Sequence, residues 1–354
     1  MSLVFCLLYP VPVATDRIVV FRPGALGDTI VAADALLALK SRYPASTLEL
    51  VGNREAGALL RAAGLVDVVS SFDGAEVTDL FRQLPRVAPA WHGAQIVVLW
   101  LAGGSRIAAA FRASGASSVI CRPSEPSAPV HVADYLVDTL AAAGVESFCA
   151  SPALLAAPIR DGGADDGPHR VLLHPGSGAA QKNWPAERYG ELAVALRRQG
   201  WPVALLEGPA DAEAVSAVAA RLALAEVPIV RPQSVGELAS ALAASPLLVG
   251  NDSGVCHLGA RLGVPTVAIF GTTDPNRWAP RGPRVVIAGG PGRWPAVHEV
   301  EGAIAGLSVT LPHPPQARAE ARGQAAEVEV PIPAAGRDVQ PAPRPEIEGQ
   351  ARGL

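Results

Sequence analysis

Lysine is almost absent from this sequence, because 27 of the 29 basic residues are arginines and only Lys40 and Lys182 remain. A lysine that persists in such a chain indicates a position that needs a compact ammonium group rather than a planar guanidinium. Cysteine is scarce too, with four widely spread residues and no C-x-x-C spacing. This argues against a disulfide framework and a structural zinc site, and it indicates a reducing compartment.

Charge and long apolar runs are also limited. The formal net charge of −4 gives no electrostatic reason to expect nucleic acid as a partner. The sequence has no uncharged apolar run of roughly 18 residues, the length that spans a bilayer. Apolar residues nevertheless make up 49% of the 354 residues, which is enough to fill the cores of two domains.

Strand-like and helix-like patterns alternate along the chain in two blocks, 17–155 and 170–307. A Gly-, Pro- and Asp-rich linker, 156–169, separates the blocks. This alternation predicts two doubly wound α/β domains with parallel sheets. In the first domain, a buried strand over 17–21 is followed by a helix predicted from Asp28 to Ser41.

The two ends of the chain lack this alternation. Residues 1–16 are apolar and broken by proline, without the basic region of a signal peptide, and are predicted to form an N-terminal arm or to reflect a misassigned start. Residues 308–354 contain eight prolines among Ala, Glu, Arg and Gly, without apolar periodicity. They are predicted to be a disordered tail.

The first chemical segment, Arg22-Pro-Gly-Ala-Leu-Gly-Asp-Thr29, follows the first strand. Gly24 and Gly27 allow the backbone to turn sharply beside a ligand. Asp28 then opens the predicted helix. It could be a helix N-cap, a role that aspartate favours, or a cleft-facing carboxylate that accepts a proton. The G-x-x-G-D spacing alone does not decide between these roles.

The second segment runs from His174 to Pro185 and places a Gly-Ser-Gly turn after a strand. Such a turn can direct backbone N–H groups toward an anion, and Lys182 can add a mobile ammonium. The alternative is that Lys182 is a solvated surface residue. Trp184 is interpreted as a packing residue rather than one that stacks on a base. The spacing of a P-loop is absent.

The third segment, Val249 to Gly263, has a strand that ends at Gly250 and a helix that begins near Gly254. Helix N-termini favour anions, so Ser253 and Gly254 could present a hydroxyl and an N–H to a diphosphate. His257 follows one helical turn later. The alternative makes Asp252 a helix cap and His257 a core histidine.

Several signatures of other chemistries are missing from the sequence. These are the D-x-D pair, H-E-x-x-H, the G-x-S-x-G elbow and a full G-x-G-x-x-G fingerprint. Metal-dependent transfer, metallohydrolysis, serine hydrolysis and dinucleotide redox chemistry therefore lack their usual sequence support.

Three stretches, GALGDT, HPGSGAAQKNWPAERYGELA and NDSGVCHLGARLGVPTVAIFGTTDP, together resemble glycosyltransferase family nine, the ADP-heptose:lipopolysaccharide heptosyltransferases and their relatives. The resemblance covers roughly 17–307 and is weak across about 70–130. It implies a GT-B fold, in which two Rossmann-like domains face a cleft. Residues 17–155 would form the acceptor-side domain and 170–307 the donor-nucleotide domain. It also implies metal-independent, inverting transfer with no cofactor.

The resemblance assigns roles residue by residue. Asp28 would be the catalytic base and Lys182 would contact the donor phosphates. The acceptor-side loop would contain Gly24, Gly27 and Thr29. The donor-binding residues would be Ser177, Gly178, Lys182, Asp252, Ser253, Gly254 and His257. A ribose-contacting carboxylate remains open between Glu207 and Glu213.

The resemblance further implies a nucleotide-sugar donor, ADP-heptose in particular, and a hydroxyl of a surface glycan or lipopolysaccharide core as acceptor. The expected location is cytoplasmic, with peripheral contact at the inner membrane as an additional expectation and no nucleic-acid partner. Domain closure would assemble the site. Two alternatives stay open, a non-catalytic nucleotide-binding GT-B scaffold and a nucleotide-sugar epimerase of similar fold.

Overall fold

The computed structural model describes residues 15–145, 155, 169–222 and 227–307. The predicted tail, and almost all of the predicted arm and linker, lie outside the described residues. In the part that is described, the chain forms two parallel β-sheets. We call each sheet, together with the helices of its part of the chain, the first and the second domain.

The first domain has five parallel strands in the spatial order β3-β2-β1-β4-β5. The strands are β1 Thr15–Arg22, β2 Thr47–Gly52, β3 Val68–Ser71, β4 Ala94–Trp100 and β5 Ser118–Arg122. The helices are α1 Leu26–Val31, α2 Ala33–Arg42, α3 Arg54–Ala62, α4 Ala75–Leu80, α5 Ser105–Ala113 and α6 Val132–Asp138, with 3₁₀ turns at Pro89–Trp91 and Thr139–Ala143.

The second domain has six parallel strands in the order β11-β10-β9-β6-β7-β8. The strands are β6 Val171–His174, β7 Val203–Leu206, β8 Ile229–Val230, β9 Leu248–Asn251, β10 Thr266–Phe270 and β11 Val285–Gly289. The helices are α7 Ala186–Arg198, α8 Ala212–Arg221, α9 Val235–Ala243, α10 Gly254–Arg261, α11 Pro275–Trp278 and α12 Val297–Gly306, with a 3₁₀ turn at Ala180–Lys182.

Strand β1 shows why both faces of the sheet are covered. Its apolar run alternates between two cores: Ile18 and Val20 belong to one buried cluster, while Val19 and Phe21 belong to the other. Such a continuous apolar strand is typical of a parallel sheet with helices on both faces. In each sheet the strand order reverses at the centre, between β1 and β4 and between β6 and β9. Ligands of such folds bind at these switch points.

The helix predicted from Asp28 to Ser41 is two helices, and it starts earlier. Helix α1 begins at Leu26, and the chain breaks helical geometry at Ala32, where ψ is −6° and the backbone N–H of Ala32 donates to Thr29 O at 3.2 Å. The prediction that Asp28 opens the helix is therefore wrong by two residues, and Ala25 is the N-cap. The N–H of Ala25 donates to the Asp28 carboxylate, which fixes this earlier start. Across the described ranges, no helix combines the length and apolarity needed to cross a membrane.

Candidate active site

The segments that follow β1, β6, β7 and β9 border one cavity of about 410 Å³ between the two domains. The first domain contributes Ala25 to Gly27 and Glu55, and the second contributes Ser177 and Gly178 among others. The volume lies within the range of small-molecule sites. The carboxyl ends of both sheets thus face the same space, as expected for a ligand site at switch points.

The two domains touch at the edge of this cavity through glycines. A Cβ on Gly254 would lie 2.7 Å from the backbone N of Gly27, and a Cβ on Gly27 would lie 3.1 Å from the Cα of Gly254. The N-termini of α1 and α10 therefore pack backbone to backbone. This contact brings the first turn of α1, which carries Asp28, next to Ser253, the residue before α10.

Asp28 is held by its own loop and by a buried arginine. Its Oδ2 accepts from the N–H of Ala25 at 2.9 Å, and its Oδ1 accepts from Nη2 of Arg22 at 3.1 Å. The Nε of Arg22 also donates to Asp28 O at 3.1 Å. Gly24 has φ of +131°, and a Cβ there would lie 2.5 Å from the Asp28 carboxylate. Asp28 is thus an oriented carboxylate at the third position of α1, not an N-cap.

The side chain of Asp28 keeps access to solvent, since 34% of it is exposed, whereas Arg22 is almost fully buried. Burial lowers the pKa of the Arg22 guanidinium, and the Asp28 carboxylate opposes that shift. An oriented and accessible carboxylate can take a proton from a hydroxyl. Thr29, in contrast, is buried, with its hydroxyl 3.4 Å from Ala25 O inside the helix.

The loop after β6 is fixed by one fully buried side chain, Asn251. Its Nδ2 donates to Pro175 O at 2.8 Å and to Gly176 O at 3.1 Å. Its Oδ1 accepts from the backbone N–H of Trp184 at 3.0 Å. The loop that presents Ser177 and Gly178 to the cavity is therefore rigid without help from a ligand, as a phosphate-binding turn requires.

Lys182 does not project freely into solvent. Its Nζ lies 2.9 Å from Oδ2 of Asp252, which also accepts from the hydroxyl of Thr273 at 2.8 Å. Asp252 is thus the partner of Lys182, and Ser253 rather than Asp252 is the N-cap residue of α10.

Trp184 is buried, packs edge-on against Tyr189 and donates from Nε1 to Pro295 O at 3.0 Å. The prediction that Trp184 packs is confirmed.

Ser253 belongs to a chain of buried polar groups that sequence reasoning missed. Its Oγ lies 3.4 Å from Nδ1 of His174, and Nε2 of His174 lies 3.0 Å from Oδ2 of Asp211. All three residues line the cavity. The sequence indicated only that His174 is the last residue of a predicted strand. Asp211 lies 37 residues away from it, so the sequence carried no signal for the pair.

His257 is brought to a different place. It lies one helical turn after Ser253 on α10 and, with His131 and Arg261, lines a very small cavity against the first domain. Burial lowers the pKa of His257 to about 4. Attraction to Asp252 opposes this shift, whereas repulsion from His131 adds to it. A neutral imidazole in this position fits a packed interdomain histidine as well as a ligand contact.

The two candidates for the ribose contact, Glu207 and Glu213, lie in different surroundings. Glu207 follows β7 and forms a two-bond ion pair with Arg231, at 2.7 and 3.2 Å. Glu213 borders a second cavity of about 300 Å³. Ser177 and Asp211 line both this cavity and the first one. The larger cavity is lined by Leu206 and Gly208, the two neighbours of Glu207 in the chain. Among the described residues, no cluster of three His, Cys, Asp or Glu side chains could hold a metal ion.

Comparison with known proteins supports the resemblance in sequence. Residues 146–308 match the model of glycosyltransferase family 9 (heptosyltransferase). The chain is 39% identical over 116 residues to lipopolysaccharide heptosyltransferase 1 of Pseudomonas aeruginosa, which is 32% of each chain. It is 33% identical over 113 residues to the Escherichia coli K12 enzyme of the same name, which is 32% of this chain and 34% of that one. These matches span about one third of the relatives' length.

The fold comparison extends over more of the chain. E. coli heptosyltransferase WaaC with ADP superposes with a TM-score of 0.65 at 17% identity, over 82% of this chain and 100% of that one. The glycosyl transferase family 9 protein of Veillonella parvula gives a TM-score of 0.60 at 21% identity, over 83% and 90%. The predicted GT-B fold is confirmed. The sequence match of the second domain and the shared fold together confirm that this chain resembles glycosyltransferase family 9, the heptosyltransferases.

Proposed function

We propose that the protein is an inverting glycosyltransferase that moves heptose from ADP-heptose to a hydroxyl of a lipopolysaccharide core or related surface glycan. One observation carries the proposal: Ala25 to Gly27, which precede the oriented carboxylate of Asp28 in one domain, border the same cavity as the loops that follow the strands of the other domain. The structures of E. coli WaaC with ADP and with ADP-2-deoxy-2-fluoro heptose support the choice of donor.

In the proposed reaction, Asp28 takes the proton of the acceptor hydroxyl while that oxygen bonds to the anomeric carbon. The bond from that carbon to the diphosphate oxygen breaks, and its electron pair leaves with ADP. Attack opposite the leaving group inverts the configuration at the sugar. Arg22 holds the carboxylate in its orientation through its contact with Oδ1.

The second domain stabilises the leaving group. The Ser177–Gly178 turn provides backbone N–H donors, and the N-terminus of α10 provides the Ser253 hydroxyl and the Gly254 N–H. Lys182, oriented by Asp252, provides the positive charge. Preorganised donors of this kind stabilise charge that develops as a bond breaks.

The decisive experiment measures turnover of ADP-heptose with a heptose-acceptor glycolipid, together with binding of ADP. Asp28→Asn should lower the rate by about 10²–10⁴-fold, the usual cost of losing a general base, and leave ADP affinity within about twofold. Asp79→Asn, at an exposed ion pair of the same domain, is the matched control. An Asp28→Asn enzyme at the wild-type rate would overturn the assignment.

The same assay separates the alternatives. A nucleotide-binding scaffold would bind ADP without turnover, and an epimerase would alter the donor when no acceptor is present. An inverting transferase gives a product whose anomeric configuration, read by NMR, is opposite to that of the donor.

We also propose metal-independent catalysis at the cytoplasmic face of the inner membrane. The charge that metal-dependent enzymes take from a cation is assigned here to Lys182 and to the α10 N-terminus. Turnover should therefore stay within about twofold of its starting value in excess EDTA. Loss of turnover that magnesium or manganese restores would contradict this mechanism.

A further inference from the structure

We propose that Asp211, His174 and Ser253 form a proton relay, in which His174 takes up a proton when a nucleoside diphosphate binds and passes its charge to a phosphate oxygen through the Ser253 hydroxyl. His174 is then a positioning residue that acts through Ser253. The inference rests on the proposed function only in requiring that a diphosphate occupies the cavity.

The hydrogen-bond directions follow from Asp211. Its Oδ2 accepts from the backbone N–H of Gly208 at 2.9 Å and lies 3.0 Å from Nε2 of His174. A carboxylate can only accept, so Nε2 of His174 carries a hydrogen. Burial raises the pKa of Asp211, but the His174 hydrogen bond and charge and the Gly208 amide outweigh it, so the pKa is lowered overall. Asp211 is therefore ionised at neutral pH.

The free end of the imidazole then decides what Ser253 does. With His174 neutral, Nδ1 has a lone pair and accepts the hydroxyl hydrogen of Ser253 across 3.4 Å. With His174 protonated, Nδ1–H donates to Oγ instead. This releases the hydroxyl hydrogen to a phosphate oxygen in the cavity. The contact is long, as is common for hydrogen bonds that tighten only with ligand present.

The other groups that can gain or lose a proton around His174 keep one protonation state at physiological pH. The hydroxyl of Tyr189 donates to His174 O at 3.1 Å, and burial raises its pKa far above the usual value. Cys256 packs against Gly250 of the neighbouring strand β9, and burial raises the pKa of its thiol to about 12. Both stay neutral at physiological pH. Lys182 and Asp252 form an ion pair nearby, at 2.9 Å.

The space around Asp211 is built for its carboxylate. A Cβ on Gly208 would lie 2.7 Å from Oδ2, and a Cβ on Gly176 would overlap Oδ1. Asp211, His174 and Ser253 are each less than one-tenth exposed. A buried, paired histidine beside an anion site gains stability in its charged form when the anion arrives.

The chemical step balances with this relay. As the bond from the anomeric carbon to the diphosphate breaks, the electron pair moves to the phosphate oxygen. The Ser253 hydrogen moves to that oxygen, and the Nδ1 hydrogen of His174 moves to Oγ. His174 ends neutral, and the acceptor's proton remains on Asp28. No oxidant, reductant or further reactant is needed.

The test is calorimetry of ADP binding at several pH values between 6.5 and 9.5, in buffers of different ionisation enthalpy. Above about pH 7.5 ADP is fully ionised, since the second phosphate pKa is about 6. Wild type should take up as much as about one proton per ADP, and its affinity should fall up to about tenfold per pH unit as His174 becomes neutral. His174→Asn should abolish both effects.

Three further variants sharpen the test. Asp211→Asn should move the proton uptake to lower pH, because the imidazolium loses its counter-charge. Ser253→Ala should remove most of the uptake, and it leaves the buried Asp211–His174 pair in place. His298→Gln, at an exposed histidine on α12, should behave as wild type. Circular dichroism checks that each variant is folded.

Two results would overturn the relay. One is ADP binding by wild type without proton uptake at any pH in the range. The other is the same uptake in wild type and in Ser253→Ala. Absence of ADP binding by wild type would instead overturn the proposed function and the relay with it.

Discussion

Each of the two lysines that this arginine-rich chain keeps is paired with an aspartate. Lys40 meets Asp67 at 2.6 Å on the surface of the first domain, and Lys182 meets Asp252 at 2.9 Å beside the cavity. The scarcity of lysine therefore singles out positions with a carboxylate partner, and not ligand sites as such. The two lysines differ in their position in the fold, and the low lysine content of the sequence does not indicate that position.

Two substitutions of Lys182 distinguish the effect of its positive charge from the effect of the shape of its ammonium group. Lys182→Ala should weaken ADP binding by roughly 10–100-fold, since a charge-assisted hydrogen bond contributes about 1.5–3 kcal/mol. Lys182→Arg should keep part of the affinity but lower turnover, because a planar guanidinium does not fit between Asp252 and a phosphate as an ammonium does. Lys40→Arg is the matched control and should change neither quantity. ADP binding to Lys182→Ala at wild-type affinity would remove Lys182 from the site.

His257 predicts a pH dependence of stability. Its pKa is about 4 in the folded protein and about 6.5 when unfolded, because burial disfavours the charged imidazole. The unfolded state then binds more protons between these values, so the free energy of unfolding falls as the pH falls from about 6.5 to 4. The loss is at most about 3 kcal/mol at roughly 1.4 kcal/mol per pH unit. Urea unfolding of wild type and His257→Asn at several pH values measures it.

The comparison uses slopes and not absolute stabilities, because the substitution itself disturbs a packed site. Asp67 and Asp211 also have lowered pKa values and weaken the fold in acid. Their contribution is common to both proteins. Equal slopes between pH 4 and 6.5 would show that His257 does not titrate as its burial requires.

At this scale, sequence reasoning located the cavity-lining positions that stand next to each other in the chain. Ser177, Gly178, Ser253 and Gly254 do line the cavity, because the turn after each strand could be located from the strand itself. The partners of these residues could not be found in this way. The pair of His174 and Asp211 depends on two strands that the fold sets side by side.

At the scale of elements, the position of α1 decides the geometry of the site. Periodicity correctly located a helix after β1, but it merged α1 and α2 across Ala32, because alanine carries no helix-stop signal. It also missed α4, a helix of six residues. The start of α1 could not be located from local pattern either, since it depends on the Asp28 carboxylate and on the packing of α1 against α10.

Glycine substitution tests the crossing of α1 and α10. Gly254→Ala would force a Cβ to 2.7 Å from the backbone N of Gly27, so the two helices must separate. The expected cost is about 1–3 kcal/mol of stability, as for other overpacked sites, together with lower turnover because Asp28 moves away from the donor loops.

Gly236→Ala on α9 is the matched control. Its Cβ would meet only Oγ of Ser234, at 3.7 Å. Alanine favours a helix over glycine by about 0.8–1.0 kcal/mol, so this variant should be as stable as wild type or more stable. Thermal unfolding of both variants checks the crossing. A Gly254→Ala protein as stable as Gly236→Ala would contradict the close backbone contact.

For the whole molecule, the two domains are joined by charged groups as well as by glycines. Asp34 on α2 is buried and lies 2.6 Å from Arg261 on α10 and 3.3 Å from Arg281. Arg281 also reaches Asp134 on α6, at 2.6 Å. Arg261 is buried as well. In the sequence, these residues are ordinary helix or loop charges, and each aspartate lies more than 100 positions from the arginine that it meets. Their meeting therefore could not be predicted.

Removing the buried aspartate of this charge network should lower the free energy of unfolding far more than removing the exposed one. Asp34→Ala leaves the buried guanidinium of Arg261 without its carboxylate, and breaking a buried pair in this way costs about 3–5 kcal/mol. Asp134→Ala removes an exposed partner of the same Arg281 and should cost less than about 1 kcal/mol. Since Asp34 joins the two domains, its loss should also let them separate, which small-angle scattering would detect as a larger radius of gyration. Equal destabilisation by the two substitutions would mean that Asp34 is no more important to the domain contact than a surface charge.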